Sequence, residues 1–192
     1  SIYKFIDEWK AFGELERNNI LIGNSASLSN NHLDSFDLLS KVDVGANNIL
    51  CPLSYSRKEH YVEKVIQRGI KIFGEKFSPI TDYMSRIEYC KVIYSCKLIV
   101  MNHVRSEGCG NVFRGLAYGS KIYLNPNNTF YHLLKGYGIH VFSIQDISTE
   151  SLFVPLTVIE IEENRRILLE KFGKEELINQ YKNLLSLDQI KV

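Results

Sequence analysis

Short apolar runs alternate along most of the chain with longer segments in which apolar residues recur every three or four positions. Runs of four to six residues rich in Ile, Leu and Val are typical of buried strands. Each run is bounded by glycine, asparagine or charged residues, which end strands. The pattern predicts six strands, over residues 19–23, 48–53, 70–73, 97–101, 121–124 and 139–144.

Helical spacing fills the intervals between these strands, as Leu33, Phe36 and Leu39 illustrate in the first interval. Gly69 and Gly119 each follow a periodic segment, and because glycine is common just past a helix C-terminus we predict that two helices end there. The segment 1–12 is a short amphipathic opening. Helices are predicted over residues 31–42, 57–68, 82–96, from the turn 107–110 to 119, and over 129–137, 160–172 and 174–185.

Regular alternation of strands and helices predicts an α/β fold, with a doubly wound, mainly parallel six-stranded sheet of the Rossmann-like type. The 192 residues suffice for one well-filled core. We predict a helical lead-in over residues 1–18, a Rossmann-like nucleotide-binding domain over 19–150, and C-terminal helices over 151–192 that pack on the same domain.

Composition narrows the classes of function. The chain is 45% apolar with a formal charge of +1, and its Lys and Arg residues are interleaved with Asp and Glu. A nucleic-acid partner is therefore not expected, because it requires a basic face or stripe. No apolar run approaches the length of a membrane span. The four cysteines lack CxxC spacing, and three lie in apolar segments, so we expect free, buried thiols and a reducing compartment.

In open α/β sheets, ligands bind beyond the carboxyl ends of the strands. After the first strand, the small and polar residues Gly23, Asn24 and Ser25 would let a ligand approach the backbone. The same residues also suit an ordinary turn with a capped helix. Neither a GxGxxG fingerprint nor a P-loop lysine is present.

The segment after the fourth strand combines Arg105 with a glycine-rich turn that contains Gly108 and Gly110. A helix N-terminus that follows such a turn presents free N–H groups, and Arg adds a planar fork suited to phosphate oxygens. We interpret this segment as a diphosphate site, with a capped helix start and a solvated Arg as the alternative. His103 is either a structural hydrogen-bonding residue or a base.

The third polar strand end, residues 125–129, reads as a turn in which Asn128 or Thr129 caps a helix. The sequence contains no HExxH motif, Cys/His cluster, Asp-x-Asp pair or GxSxG elbow. We therefore expect an anionic, nucleotide-containing ligand held by backbone amides and Arg, with no metal and no cofactor.

Several short motifs occur in the order that is typical of one bacterial enzyme family, over about residues 19–147. They are Ile22-Gly23-Asn24-Ser25, Ser29-Asn30-Asn31-His32, Pro52 with Tyr55, Asn102-His103 with Arg105, Gly110-Asn111, Gly119-Ser120-Lys121-Ile122-Tyr123-Leu124-Asn125 and Gly138-Ile139. The set resembles the C-terminal domain of TDP-N-acetylfucosamine:lipid II N-acetylfucosaminyltransferases, also known as 4-alpha-L-fucosyltransferases.

The resemblance implies the donor-binding half of a metal-independent GT-B glycosyltransferase. Such an enzyme transfers a sugar from a TDP-sugar to a polyprenyl-diphosphate-linked saccharide during the synthesis of a bacterial surface polysaccharide. It works in the cytoplasm or as a peripheral protein on the cytoplasmic face of the inner membrane. A full member is nearly twice this length, so the resemblance also implies a further, N-terminal domain that binds the acceptor.

For this reaction we expect Arg105 and His103 to act in catalysis and residues 77–83 to lie near the nucleotide base. One position departs from the family, because Ser106-Glu107 stands where two glutamines are usual; Glu107 could accept hydrogen bonds from ribose or sugar hydroxyls. From the polar strand ends and the resemblance together, we predict the substrate-binding residues Gly23, Asn24, Ser25, Tyr55, Glu107, Gly108, Gly110, Asn111 and Asn125.

Two other functions stay open from the sequence. One is a non-catalytic nucleotide-sugar-binding module or scaffold. The other is a sugar-nucleotide epimerase of related architecture, which would need carboxylates in its cleft; Glu107 and Asp82 are the candidates.

Overall fold

Six parallel strands form a single sheet in the computed structural model, which describes residues 2, 5, 12, 13, 15–55 and 59–188. The sheet has the order β3-β2-β1-β4-β5-β6. This confirms the predicted doubly wound α/β fold. The predicted lead-in over 1–18 lies largely outside the described residues. The strands are β1 (Asn19–Ile22), β2 (Asn48–Pro52), β3 (Phe77–Ile80), β4 (Cys96–Met101), β5 (Lys121–Leu124) and β6 (Phe142–Ser143).

Helices connect the strands and cover both faces of the sheet. They are α1 (His32–Leu39), α2 (Glu59–Phe73), α3 (Arg86–Ser95), α4 (Cys109–Tyr118), α5 (Thr129–Gly136), α6 (Thr149–Phe153), α7 (Val158–Phe172) and α8 (Lys174–Asp188). Among the described residues, no helix combines the length and apolar character needed to cross a bilayer.

Two apolar cores lie on opposite faces of the sheet because successive strand residues point to opposite sides. In β1, Leu21 belongs to one core with Leu116 of α4, whereas Ile20 belongs to the other with Phe36 of α1. The central strands are buried on both faces, which explains their nearly continuous apolar sequence. Cys51, Cys90 and Cys96 are buried and take part in no disulfide, as predicted, and Cys109 is partly exposed.

The prediction of a third strand over residues 70–73 was wrong, because these residues form the last turn of α2. Gly69 does not end that helix. It lies inside α2, where the missing Cβ leaves room for the ring of Phe77. The helix ends at Phe73, just before Gly74, which adopts a left-handed conformation (φ 59°). The true strand contains Pro79, which the pattern disfavoured; it is accommodated because β3 lies at the edge of the sheet.

Other helices and strands begin or end a few residues away from the predicted positions. Helix α3 begins at Arg86 and not near residue 82, because Ser85 and Glu88 form a reciprocal capping box. Strand β6 contains only Phe142 and Ser143, because a 3-10 turn follows at once. Helix α6 was not predicted, since its five residues are too few to show a helical period.

The topology determines where a ligand can bind. The chain leaves β1 toward β2 on one side and leaves β4 toward β5 on the other. Beyond the carboxyl ends of β1 and β4 the connections diverge, and this switch point is where α/β sheets bind ligands.

The packing at Gly69 generates a stability prediction. A Cβ at this position would lie 2.4 Å from the ring of Phe77, so Gly69→Ala should lower the free energy of unfolding by about 1–3 kcal/mol in urea denaturation. Gly136→Ala is the matched control, because a Cβ there would have no neighbour within 4 Å in the part of the chain that the structure describes. Equal denaturation midpoints for the two variants would contradict the packing described.

Candidate functional site

The loops that follow β1 and β4 meet at the switch point. The Gly23 N–H donates to the Val100 carbonyl at 3.0 Å, which extends the strand pairing by one residue. Farther along the first loop, the Asn31 side chain donates to the Asn102 carbonyl at 2.8 Å. These bonds fix the two loops relative to each other and make one continuous polar edge.

Helix α4 begins at this edge. Its N-cap, Gly108, has φ 64°, a conformation that favours glycine. The Asn24 side chain packs 3.2 Å from the place where a Cβ of Gly108 would lie. At Gly110 a Cβ would meet no other described residue within 4 Å, so the first turn of the helix is open on that side. The result is an accessible helix N-terminus, a suitable place for an anion.

Arg105 and Glu107 form an ion pair beside the helix start. The Arg105 Nε donates to a Glu107 carboxylate oxygen at 2.9 Å, and its Nη2 donates to the same oxygen. Ser29 of the β1 loop donates to both carboxylate oxygens, at 2.9 and 2.7 Å. Partial burial alone would raise the pKa of Glu107, but the bonds from Ser29 and Arg105 and the Arg105 charge lower it below its usual value.

Two of the residues predicted to bind substrate, Ser25 and Asn111, direct their side chains away from the open first turn of α4. Ser25 is buried, and its hydroxyl accepts a hydrogen bond from the Asn30 amide at 3.2 Å. Asn111 donates to the hydroxyl of Tyr89 on α3 at 2.8 Å. Tyr55, after β2, has an exposed side chain, while its carbonyl accepts from the Ala26 N–H at 2.7 Å.

His103 is only 1% exposed, and both of its buried ring nitrogens have no hydrogen-bond partner among the described residues. The buried ring of His32 interacts electrostatically with it. Burial lowers the pKa of His103, although Glu107 opposes that shift. Burial, with a smaller contribution from His103, lowers the pKa of His32 to about 4. Both imidazoles are therefore uncharged at neutral pH, beneath the polar edge.

Two asparagines hold the loop after β4 from the side of β5. Asn125 donates to the Asn102 side chain at 2.8 Å. Asn128 caps α5 through its oxygen and donates through its amide to the carbonyls of His103 and Arg105, at 2.8 and 3.0 Å. Asn125 thus contributes to the support of the site through Asn102.

Sequence reasoning gave no role to Ser29, Asn30 or His32 and assigned Asn128 only as a cap. The first three belong to the motif Ser29-Asn30-Asn31-His32, which was visible in the sequence. The motif did not indicate which residues these side chains contact. Residues 77–83, the predicted base-binding segment, contain β3 and the loop after it, which lies two strands away from β1 at the same edge.

A cavity of about 310 Å³ lies at the opposite, amino edge of the sheet, next to the first residues of β4 and β5. Its walls include Lys121, whose ammonium group donates to the carbonyls of Ser151 and Val154. Because the cavity lies at the amino edge, it is separate from the switch point at the carboxyl edge. Within the described part of the chain, no cluster of three or more His, Cys, Asp or Glu side chains is arranged to hold a metal ion.

Comparison with known proteins shows which family model the chain matches and which solved structures share its fold. The family model described as 4-alpha-L-fucosyltransferase, glycosyl transferase group 56, matches residues 8–169. Among solved structures, the C-terminal domain of the group 1 glycosyltransferase LpcC from Francisella tularensis superposes with a TM-score of 0.64 at 8% identity, covering 87% of this chain and 92% of that domain.

Two longer proteins contain the same fold. AviGT4, a glycosyltransferase involved in avilamycin A biosynthesis, gives a TM-score of 0.63 at 14% identity, covering 90% of this chain and 53% of AviGT4. A UDP-forming trehalose-phosphate synthase from Burkholderia xenovorans gives a TM-score of 0.69 at 11% identity, covering 96% of this chain and 49% of the synthase. The described fold is that of a GT-B glycosyltransferase domain, and the chain spans about half the length of these two proteins.

The contacts of Asn128 lead to a prediction about loop stability. Asn128→Asp keeps the capping oxygen but places a carboxylate against two carbonyls that lose their donor, so the free energy of unfolding should fall by about 2–3 kcal/mol. Urea denaturation measures the change, and Asn127→Asp, at the exposed neighbouring position, is the control. Indistinguishable stabilities of the two variants would contradict the proposed support of the loop.

The buried His32 predicts a dependence of stability on pH. Its folded-state pKa of about 4 lies below the ordinary value of about 6.5, so the unfolded chain takes up the proton first as the pH falls. The stabilisation is present above pH ~6.5 and is lost progressively toward pH ~4, by about 2 kcal/mol between pH 7.5 and pH 5.

His32→Gln should flatten this pH dependence of the unfolding free energy, measured by urea denaturation at both pH values. The exposed His60 provides the control variant His60→Gln. A wild-type slope in His32→Gln would show that His32 does not titrate as described.

Proposed function

The chain belongs to the 4-alpha-L-fucosyltransferase family of glycosyltransferases, group 56, and from this premise we propose that it binds a nucleotide diphosphate sugar at the switch point between β1 and β4. The observation that carries the proposal is the open start of α4 between Gly108 and Gly110, beside the guanidinium of Arg105. An anion at this place would meet both the helix dipole and a fixed cation.

In this proposal the helix start and Arg105 stabilise the negative charge that develops on the leaving diphosphate. Donors that are oriented before the reaction are often the largest single contribution to catalysis. Since His103 is buried, a direct contact with the donor would require the loop after β4 to move. We therefore place Arg105 and the helix first, and retain His103 as the second catalytic candidate.

The rest of the donor would lie along the same edge. Gly23 and Asn24 would face the donor from the β1 loop, with Ser25 behind them. Glu107 would face its hydroxyl groups, and the nucleotide base would extend toward residues 77–83. Tyr55, Asn111 and Asn125 complete the proposed binding set, with the last two supporting the loop geometry through their contacts to Tyr89 and Asn102.

Family membership also supports a proposal for the whole reaction. The sugar would be N-acetylfucosamine or a close relative carried by TDP, and the acceptor a polyprenyl-diphosphate-linked saccharide of a bacterial surface polysaccharide. We propose transfer without a metal ion, with the acceptor bound by a second domain and contact with the cytoplasmic face of the inner membrane. A chain that spans half the length of AviGT4 would bind donor without completing the transfer alone.

The pairing of Arg105 with Glu107 favours one alternative, a non-catalytic nucleotide-sugar-binding module. In that case the paired guanidinium would contribute affinity but would not stabilise a leaving group. The two functions differ in the expected result when the chain is combined with an acceptor-binding partner, because only the first yields transfer of sugar.

Calorimetric titration with TDP, UDP and GDP, with and without magnesium, tests the donor site. We expect binding that prefers TDP and does not need the metal. Arg105→Ala should weaken binding of TDP by about 10-fold or more, because it removes charged hydrogen bonds to phosphate. Arg166→Ala, which breaks an exposed ion pair on α7, is the control. Equal affinity of wild type and Arg105→Ala would exclude the diphosphate site proposed.

A further inference from the structure

A carboxylate links the two loops of the candidate site. Ser29, on the β1 loop, donates to both oxygens of Glu107, and Arg105 donates to one of them. The Glu107 side chain is 22% exposed, whereas that of Arg105 is 74% exposed. The carboxylate is thus held in place from the protein side, while the guanidinium extends toward the solvent.

This arrangement places a negative charge where the proposed function requires an anion. Glu107 is ionised at neutral pH, because the bonds from Ser29 and Arg105 lower its pKa despite the opposing effect of partial burial. It offsets part of the charge of Arg105 and precedes Gly108, the N-cap of α4. A bare phosphoanion that binds there meets an attractive helix end and a repulsive carboxylate together.

The carboxylate can compensate for this repulsion if the ligand brings hydroxyl groups. A carboxylate has about four acceptor positions. Within the described residues, one Glu107 oxygen accepts from Ser29 and Arg105, and the other accepts from Ser29. The second oxygen of Glu107 can therefore accept a further hydrogen bond from a hydroxyl group of the ligand. Hydrogen bonds to an ionised acceptor are stronger than those between neutral groups.

We propose that Glu107 is a specificity-determining residue that disfavours phosphoanions without a transferable sugar, such as pyrophosphate and bare nucleoside diphosphates. It favours nucleotide diphosphate sugars in which hydroxyls of the transferable sugar donate to its carboxylate. The inference rests on the proposed function, because it assumes that the diphosphate binds at α4. It also predicts weak retention of the bare nucleoside diphosphate, the product that remains after the sugar has been transferred.

Titrations of the 192-residue chain with TDP, TDP-glucose and inorganic pyrophosphate test this role. Glu107→Gln keeps the shape of the side chain and removes its charge. It should tighten binding of TDP and pyrophosphate by about 10-fold at low salt and that of TDP-glucose by less than about 3-fold, so that the preference for the sugar nucleotide falls. The gain for TDP should shrink as the salt concentration rises.

Two variants control for indirect effects. Glu107→Asp retains the charge and should keep most of the wild-type preference, measured as the ratio of the two dissociation constants. Glu170→Gln removes the carboxylate of an exposed Arg166 pair on α7 and should leave all three affinities unchanged. Thermal melts verify that each variant is folded before titration.

The outcomes separate this inference from the proposed function. If TDP binds and Arg105→Ala weakens it, but Glu107→Gln tightens all probes equally or weakens TDP, the role of Glu107 is overturned and the donor site stands. If wild-type chain binds none of the probes, the donor site and the role of Glu107 are both overturned. A selective gain for TDP and pyrophosphate in Glu107→Gln alone supports the proposal.

Discussion

The parallel pairing of β1 with β4 is the constraint on which the rest of the structure depends. These strands are neighbours in the sheet although the β2 and β3 units separate them in the sequence. Their pairing brings the loop that begins at Gly23 against the loop that begins at Asn102, joined by the bond from Asn31. Without that neighbour relation, the start of α4 would lie beside an ordinary turn.

A polar edge between buried strands must supply hydrogen-bond partners for its own backbone, and side-chain amides do so here. Asn carries both a donor and an acceptor on a short side chain, so it can replace water at a loop carbonyl. Asn31 and Asn128 each donate to carbonyls of the loop after β4. Within the described part of the chain, some side-chain atoms of Asn24, His32 and His103 near the same edge are buried and have no hydrogen-bond partner. Exceptions to the rule that buried polar groups are hydrogen-bonded are typical of functional sites.

The electrostatic balance at this edge is close to neutral despite its suitability for an anion. The helix dipole of α4 and Arg105 attract negative charge, and Glu107 offsets part of that attraction while tying the two loops together through Ser29. Two uncharged imidazoles lie below. An edge of this kind discriminates by the geometry of donors and acceptors more than by net charge, which suits a ligand that carries both phosphates and hydroxyls.

The sequence by itself determined the class of fold, because the alternation of apolar runs and helical periods follows directly from burial on two faces of a parallel sheet. It also located Arg105 and the Gly108 turn, since each has a local chemical signature. It could not place β3, because the packing of Phe77 against Gly69 and the edge position that tolerates Pro79 are relations between distant residues. For the same reason, the inward orientation of His103 and the link from Ser29 to Glu107 were decided only by the tertiary structure: residues 78 positions apart become partners when β1 pairs with β4.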